Sequence, residues 1–434
     1  MKLSRLALIV PFFVTWACSN GTSHPIDARD APLGDLNTDK ATDKPSTEDT
    51  NNNNDTANDG TTPDGTSPDS PEASNNNDGG GNDVADANHD TGADTADAAQ
   101  PQKLVSTVLV IDQAPDAGAD ASTDAGADAM PAIDPNLVNP WGLAFNPSGP
   151  IWIANNGTGT STIYNAQGQP QALVVTIPPP TGGTPPSAPT GLVFNVTSAF
   201  MGDKFIFSSE DGTIAGWQTG TAATTRAENA TAHSVYKGLA LGLRNNVARL
   251  YATDFHNGKV DVYDMSYNKI TTSGGFADAT IPTGFAPFGI HAEGAAIFVT
   301  YAKQDADAKD DVKGAGNGYV NAFDFDGVLT RRLISQGALN SPWAIALAPS
   351  DFGNLSHDII IGNFGDGRVN AYDASTGAFQ ATAITSGNVP LVIPGLWSLV
   401  FGNDTAGAAH NQLFFTAGPG DEMHGVFGRL DFVP

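Results

Sequence analysis

A unit of about 50 residues recurs six times along this chain, and an internal repeat of that length restricts the fold more than any other feature. Its first segment carries a small residue inside an alternating apolar run: PWGLAF at Pro140, PTGLVF at Pro189, YKGLAL at Tyr236, PFGIHA at Pro287, PWAIAL at Pro342 and GLWSLVF at Gly395. The small residues are Gly142, Gly191, Gly238, Gly289, Ala344 and Ser398. A second run rich in β-branched and aromatic residues follows in each copy: IWIAN, KFIFSS, RLYAT, AIFVT, DIIIGN and QLFFTA. Then comes a turn ending in Gly and a third run with an aromatic residue or Leu five positions later, as in Gly159 and Tyr164 or Gly367 and Tyr372. Period-two alternation interrupted by Gly or Pro about every ten residues excludes packed helices.

Short strands with Gly-containing turns, repeated in this way, predict an all-β, six-bladed β-propeller of four-stranded blades. The small residue then sits innermost, where six strands converge on the axis. The sixth copy ends at Pro434 after only three strands. Lys103 to Ile111, KLVSTVLVI, is the only strand-like run upstream of the first copy. Pairing it beside Val426 to Phe432 closes the ring and hides both sheet edges. Residues 112–133, with their DAGADA repeats, become an exposed low-complexity loop.

Charge divides the chain. Of its 434 residues, 47 are Asp or Glu and 20 Lys or Arg, a net charge of -27 that leaves no cation excess for phosphates and argues against nucleic acid as a partner. Ser19 to Asn136 holds 24 of the acids and 4 of the cations. Residues 19–102 are Asp, Asn, Thr, Gly, Pro and Ser with almost no large apolar side chain, the composition of a disordered, self-repelling linker. Asp86, Asn88 and Asp90 have the alternate spacing of a calcium loop, but Gly92 falls one place late, and a solvated spacer is the better reading. Residues 1–18, MKLSRLALIVPFFVTWAC, show Lys2 and Arg5, an apolar stretch and a small residue before Cys18, the pattern of a signal peptide. Ala17-Cys18 resembles a lipobox, with Thr15 where Leu is usual. The expectation is an exported lipoprotein, lipidated at Cys18, at the outer membrane, cell surface or periplasm, or otherwise secreted. One Cys excludes an intramolecular disulfide framework. The domains expected are therefore 1–18, 19–102 and a propeller over 103–434.

The strings DPNLVNPWGLAF, EDGTIAGW, LYATDFHNGKVDVYD, VTYAKQDADAKDDVKGAGNGYVNAFD, RLISQGALNSPWAIALAP and IGNFGDGRVNAYD resemble an uncharacterised bacterial family of exported propellers, related in type to NHL and YVTN repeats. The resemblance runs from about Leu104 to Asp431 and implies six blades and export. It implies no activity and supplies no catalytic residues.

Candidate functional residues come from the turns joining second and third strands, which lie on one face of the disc. They place Asn155, Glu210, Asp254, His256, Lys303, Asn363, Asp421 and Glu422 around one mouth of the axial channel. Asn, Asp and Gly also make ordinary hairpin turns, but Glu210, Asp254, His256 and Lys303 are not residues that a turn requires. The fourth turn, Tyr301 to Asn317, is far longer than the others and oxygen-rich, which suits Ca2+ or another divalent cation held by Glu210, Asp254, Asp305 and Asp307. A solvated, self-compensated charged loop is the competing reading. No GxSxG, P-loop, HExxH or dinucleotide motif occurs. His291 reads as a hydrogen-bonded core residue. Two functions remain: a monomeric binding module for a protein, peptide or glycan, or a divalent-metal-dependent hydrolase or lyase by analogy with lactonase and streptogramin-lyase propellers.

Overall fold

The structure, a computed structural model, describes residues 101–114 and 130–433. Six antiparallel sheets form the ring, one for each sequence repeat. Their innermost strands are Pro140–Phe145, Pro189–Phe194, Tyr236–Arg244, Phe285–Glu293, Pro342–Leu347 and Leu396–Phe401, which number blades 1 to 6. Each blade runs outward through three further strands, as in blade 5 with Asp358–Asn363, Val369–Asp373 and Phe379–Thr382.

Blade 6 closes as the sequence predicts. Leu104–Ile111 pairs antiparallel with Val426–Phe432, with Leu104 opposite Phe432 and Ile111 opposite Val426. Leu104 and Val110 are buried in this seam, so closure hides apolar surface as well as a strand edge. The predicted loop differs in one respect: Ala132–Ile133 returns to lie parallel to the end of Leu104–Ile111 as a fifth strand. Residues 115–129 of that insert, residues 19–100 of the linker and the signal segment with Cys18 lie outside the described residues, whereas Gln102, at the linker's expected end, is buried against the propeller.

The small residues are needed because adjacent inner strands nearly touch. A methyl group on Gly289 would fall on the Trp343 carbonyl of the next blade, and one on Gly191 would fall on the Leu239 backbone. Hydroxyls on the second strands lace the same seam. Thr253 Oγ1 donates to the Phe288 carbonyl at 2.7 Å, and Thr416 Oγ1 to the Trp141 carbonyl at 2.6 Å, each reaching from one blade to the next. Apolar clusters fill the spaces between sheets, such as that of Trp152, Phe205 and Trp217 between blades 1 and 2.

The pairing register orients the disc. The turns between second and third strands all open on one face, called the mouth. Leu104 lies opposite Phe432, at the far end of its strand from the mouth turn of blade 6, so the described chain enters and leaves on the rear face. Gln102 confirms this, donating to the Val433 carbonyl at 3.0 Å and accepting from the Asn354 backbone in the rear loop of blade 5 at 2.8 Å.

Candidate functional site

The residue before each small position turns toward the axis in five of the six blades, giving Trp141, Lys237, Phe288, Trp343 and Trp397. Thr190, the sixth, instead donates to the Tyr236 carbonyl. Trp141 stacks on Trp397 with centroids 3.4 Å apart, Trp343 meets both edge-on, and Phe364 stacks on the Trp397 ring at 3.9 Å. Aromatic rings from blades 1, 4, 5 and 6 thus plug the axis. Behind the plug lies an apolar well of about 290 Å³, lined by Leu143, Leu192, Leu239, Ile290, Ile345 and Leu399 and open to the rear.

Lys237 is the exception in this ring. Its side chain is 2% exposed, and the ammonium lies 5.1 Å from the Trp141 centroid and 5.8 Å from that of Phe255. It pairs with Glu210 of blade 2 and, at 3.2 Å, with Asp310 of the long blade 4 turn. Asn156 of blade 1 donates to the other Glu210 oxygen at 3.1 Å. Burial opposes both charges, but the partners win. Glu210 and Asp310 hold the Lys237 ammonium above its ordinary range, and Lys237 holds Glu210 below the usual carboxylate range.

The long turn crosses the mouth rather than standing in solvent. Gln304 donates to the Phe255 carbonyl at 2.6 Å on the blade 3 side. Gly314 donates to Asn340 at 2.7 Å on the blade 5 side, and the Lys313 ammonium sits 4.5 Å above the Phe364 ring. Beneath it, burial pushes the Asp311 carboxyl up, against the nearby Ser341 hydroxyl and the charges of Lys237 and Lys313. Across the mouth, burial and the Glu210 charge raise the Glu422 carboxyl, although Asn139 donates to it at 2.7 Å. Trp397 in turn donates its indole N–H to Asn139 at 2.9 Å.

The sequence-predicted residues divide accordingly. Glu210 and Glu422 share the mouth, with Asp421 beside Glu422 in the same turn. Asn155, Asp254 and Asn363 are fully buried and brace their own hairpins and the connections beside them: Asn155 donates to Thr162 at 3.0 Å, Asp254 accepts from Asn257 at 2.9 Å and from Ser234 of the preceding connection at 2.8 Å, and Asn363 donates to Asp366 at 3.1 Å and to the Ala338 carbonyl of the preceding connection at 2.8 Å. Asn and Asp at a strand end satisfy backbone and neighbouring polar groups, which is why they recur there. His256 is half-buried, with its ring 6.2 Å from that of His233, and Lys303 is an exposed strand end. Asp305 caps its own loop by accepting from the Lys309 backbone at 2.9 Å, and Asp307 is exposed. The structure therefore does not gather Glu210, Asp254, Asp305 and Asp307 into one coordination sphere. Among the described residues no three His, Cys, Asp or Glu side chains converge on a metal position. His291 is not a core residue: its side chain is 37% exposed near the rear well, 3.6 Å from Glu293. Lys237 and the aromatic plug are the residues that the sequence reading missed. Aligning the six copies exposes the signal, a single Lys in a column otherwise of Trp, Phe and Thr.

No family model matches the chain. Two sequence relatives are uncharacterized proteins of Acanthamoeba polyphaga mimivirus. One is 32% identical over 319 residues, covering 68% of this chain and 76% of that protein. The other is 29% identical over 322 residues, covering 68% and 81%. These relatives are viral, whereas the sequence resemblance pointed to a bacterial family. Among solved structures, a streptogramin B lyase aligns with a TM-score of 0.43 at 13% identity, covering 78% of this chain and 100% of that one. A gluconolactonase from Xanthomonas campestris aligns at 0.44 and 12%, covering 69% and 89%. A protein of unknown function from Bacteroides thetaiotaomicron aligns at 0.48 and 11%, covering 76% of each chain. These likenesses are of fold alone.

Proposed function

The chain belongs to the family of these uncharacterized mimivirus proteins, and we propose, from its own residues, that it is a binding module, exported and lipid-anchored at Cys18, that takes a protein, peptide or glycan ligand at its mouth. The observation that carries this reading is the Lys237 ion pair inside the aromatic plug. A buried ion pair is weak support for stability, and aromatic residues do the packing at the same position of four other blades. A charge kept at the floor of a concave, loop-rimmed face points to recognition.

The same geometry favours binding over covalent chemistry. A lysine held charged by two carboxylates is no nucleophile, since attack requires the neutral amine. A metal-dependent hydrolase or lyase needs several ligands converging with an open position, an arrangement that the described residues do not assemble.

The test is retention of the full chain on arrays of peptides and glycans. Lys237→Met and Asp310→Asn are expected to abolish retention of a mouth ligand, while His410→Ala on the rear face leaves it intact. Retention indifferent to both mouth substitutions would overturn the proposal.

A further inference from the structure

We propose that the groove between the mouth turns of blades 5 and 6 receives a lysine or arginine side chain of a partner peptide, and that Lys313 of the blade 4 turn occupies that place in the structure described. The inference rests on the reading of the mouth as a binding face and names the chemistry of its ligand.

The groove has a volume of about 330 Å³, room for a long side chain. Its floor is Phe364, whose one face is held by stacking on Trp397 at 3.9 Å. The Lys313 ammonium stands 4.5 Å from the centroid of the same ring, the geometry of a cation–π contact. Three carboxylates, those of Asp366, Asp421 and Glu422, line the walls. Glu422 is fixed through Asn139 to the indole of Trp397, so one tryptophan positions both the aromatic floor and one of the wall acids. An aromatic face with carboxylates beside it complements an ammonium or guanidinium group.

Two features make the resident lysine replaceable and the ligand a peptide. Lys313 is exposed and belongs to the one long mouth turn, whereas Phe364 and Trp397 belong to the barely exposed core. Glycines of both turns, with Val392, Pro394 and Pro419, complete the lining. The occupant seen there is itself a lysine borne on a polypeptide backbone, which is why the ligand inferred is a peptide. Burial and the charges of Glu210 and Asp310 raise the Glu422 carboxyl, a load that an arriving cation relieves.

The experiment titrates the full chain with fluorescein-labelled Gly-Gly-Lys-Gly-Gly, its arginine and norleucine counterparts, and free butylammonium. Lysine or arginine peptide is expected to bind at least about tenfold more tightly than the norleucine peptide, with affinity falling as salt rises. Lys313→Ala, on an exposed turn, tightens binding severalfold, whereas Glu422→Gln and Phe364→Leu weaken it about tenfold. Should those two variants misfold by circular dichroism, Lys313→Ala and the shift of the Trp397 indole N–H resonance on peptide addition still decide. Equal binding of the norleucine peptide, or weaker binding by Lys313→Ala, overturns the proposal. Butylammonium binding as tightly as the peptide overturns its peptide part. If arrays yield a neutral ligand sensitive to Lys237 while the cationic peptides do not bind, this inference fails and the mouth reading stands; if nothing depends on the mouth, both fail.

Discussion

Replacing Lys237 with methionine keeps the chain length and removes the charge, leaving the largely buried Glu210 without its cation. Stranding one member of a buried pair costs about 3–5 kcal/mol. Lys237→Met is therefore expected to lower the urea midpoint sharply, and Lys237→Met with Glu210→Gln to recover much of the loss. The pH dependence follows from the directions of the two shifts. Glu210 lies below its ordinary value when folded, so its contribution is present above about pH 4.3 and is lost as pH falls through the folded value. Lys237 lies above its ordinary value, so its contribution is complete below about pH 10.4 and lost as pH rises through the folded value. At this scale the sequence was legible where backbones dictate the residue, as at Gly289, because a Cβ there has nowhere to go. It was less legible at Asp254 and Asn363, since hairpin bracing and ligand binding select the same polar side chains.

The hairpin of Asp358–Asn363 and Val369–Asp373 sets two carboxylates directly opposite each other, Asp358 against Asp373. Asp373 accepts hydrogen bonds from Ser375 and Thr376, which hold it ionised below the usual range. Burial, and then the Asp373 charge, push Asp358 up to about 6. A carboxyl raised by folding binds its proton more tightly in the native state, so stability falls as pH rises from about 4 to about 6. Asp358→Asn should raise the melting temperature at pH 7 to 8 and change little at pH 4, which thermal melts across that range would check. Elements were the most legible level of this chain. Alternation and Gly spacing gave every blade, and the surplus strand at Leu104–Ile111 found the one place lacking a partner. The course of the long blade 4 turn was not legible. Its path over Lys237 and Phe364 depends on contacts between blades 3, 4 and 5 that no local pattern encodes.

For the whole molecule, position on the disc matters more than the total charge of -27. If Cys18 carries the anchor, Cys18→Ala should move the protein from the membrane to the soluble fraction, and unchanged fractionation would refute the lipoprotein reading. The closing strand then takes on a directional role. Because Leu104 lies opposite Phe432, whatever precedes residue 101 is joined to the rear of the disc, the side bearing the apolar well. The mouth has the opposite aspect, and a molecule held by its N-terminus can present that face outward without folding its leash around the rim. Ring closure by the first strand thus also decides where the chain joins the disc: on the face away from the mouth turns.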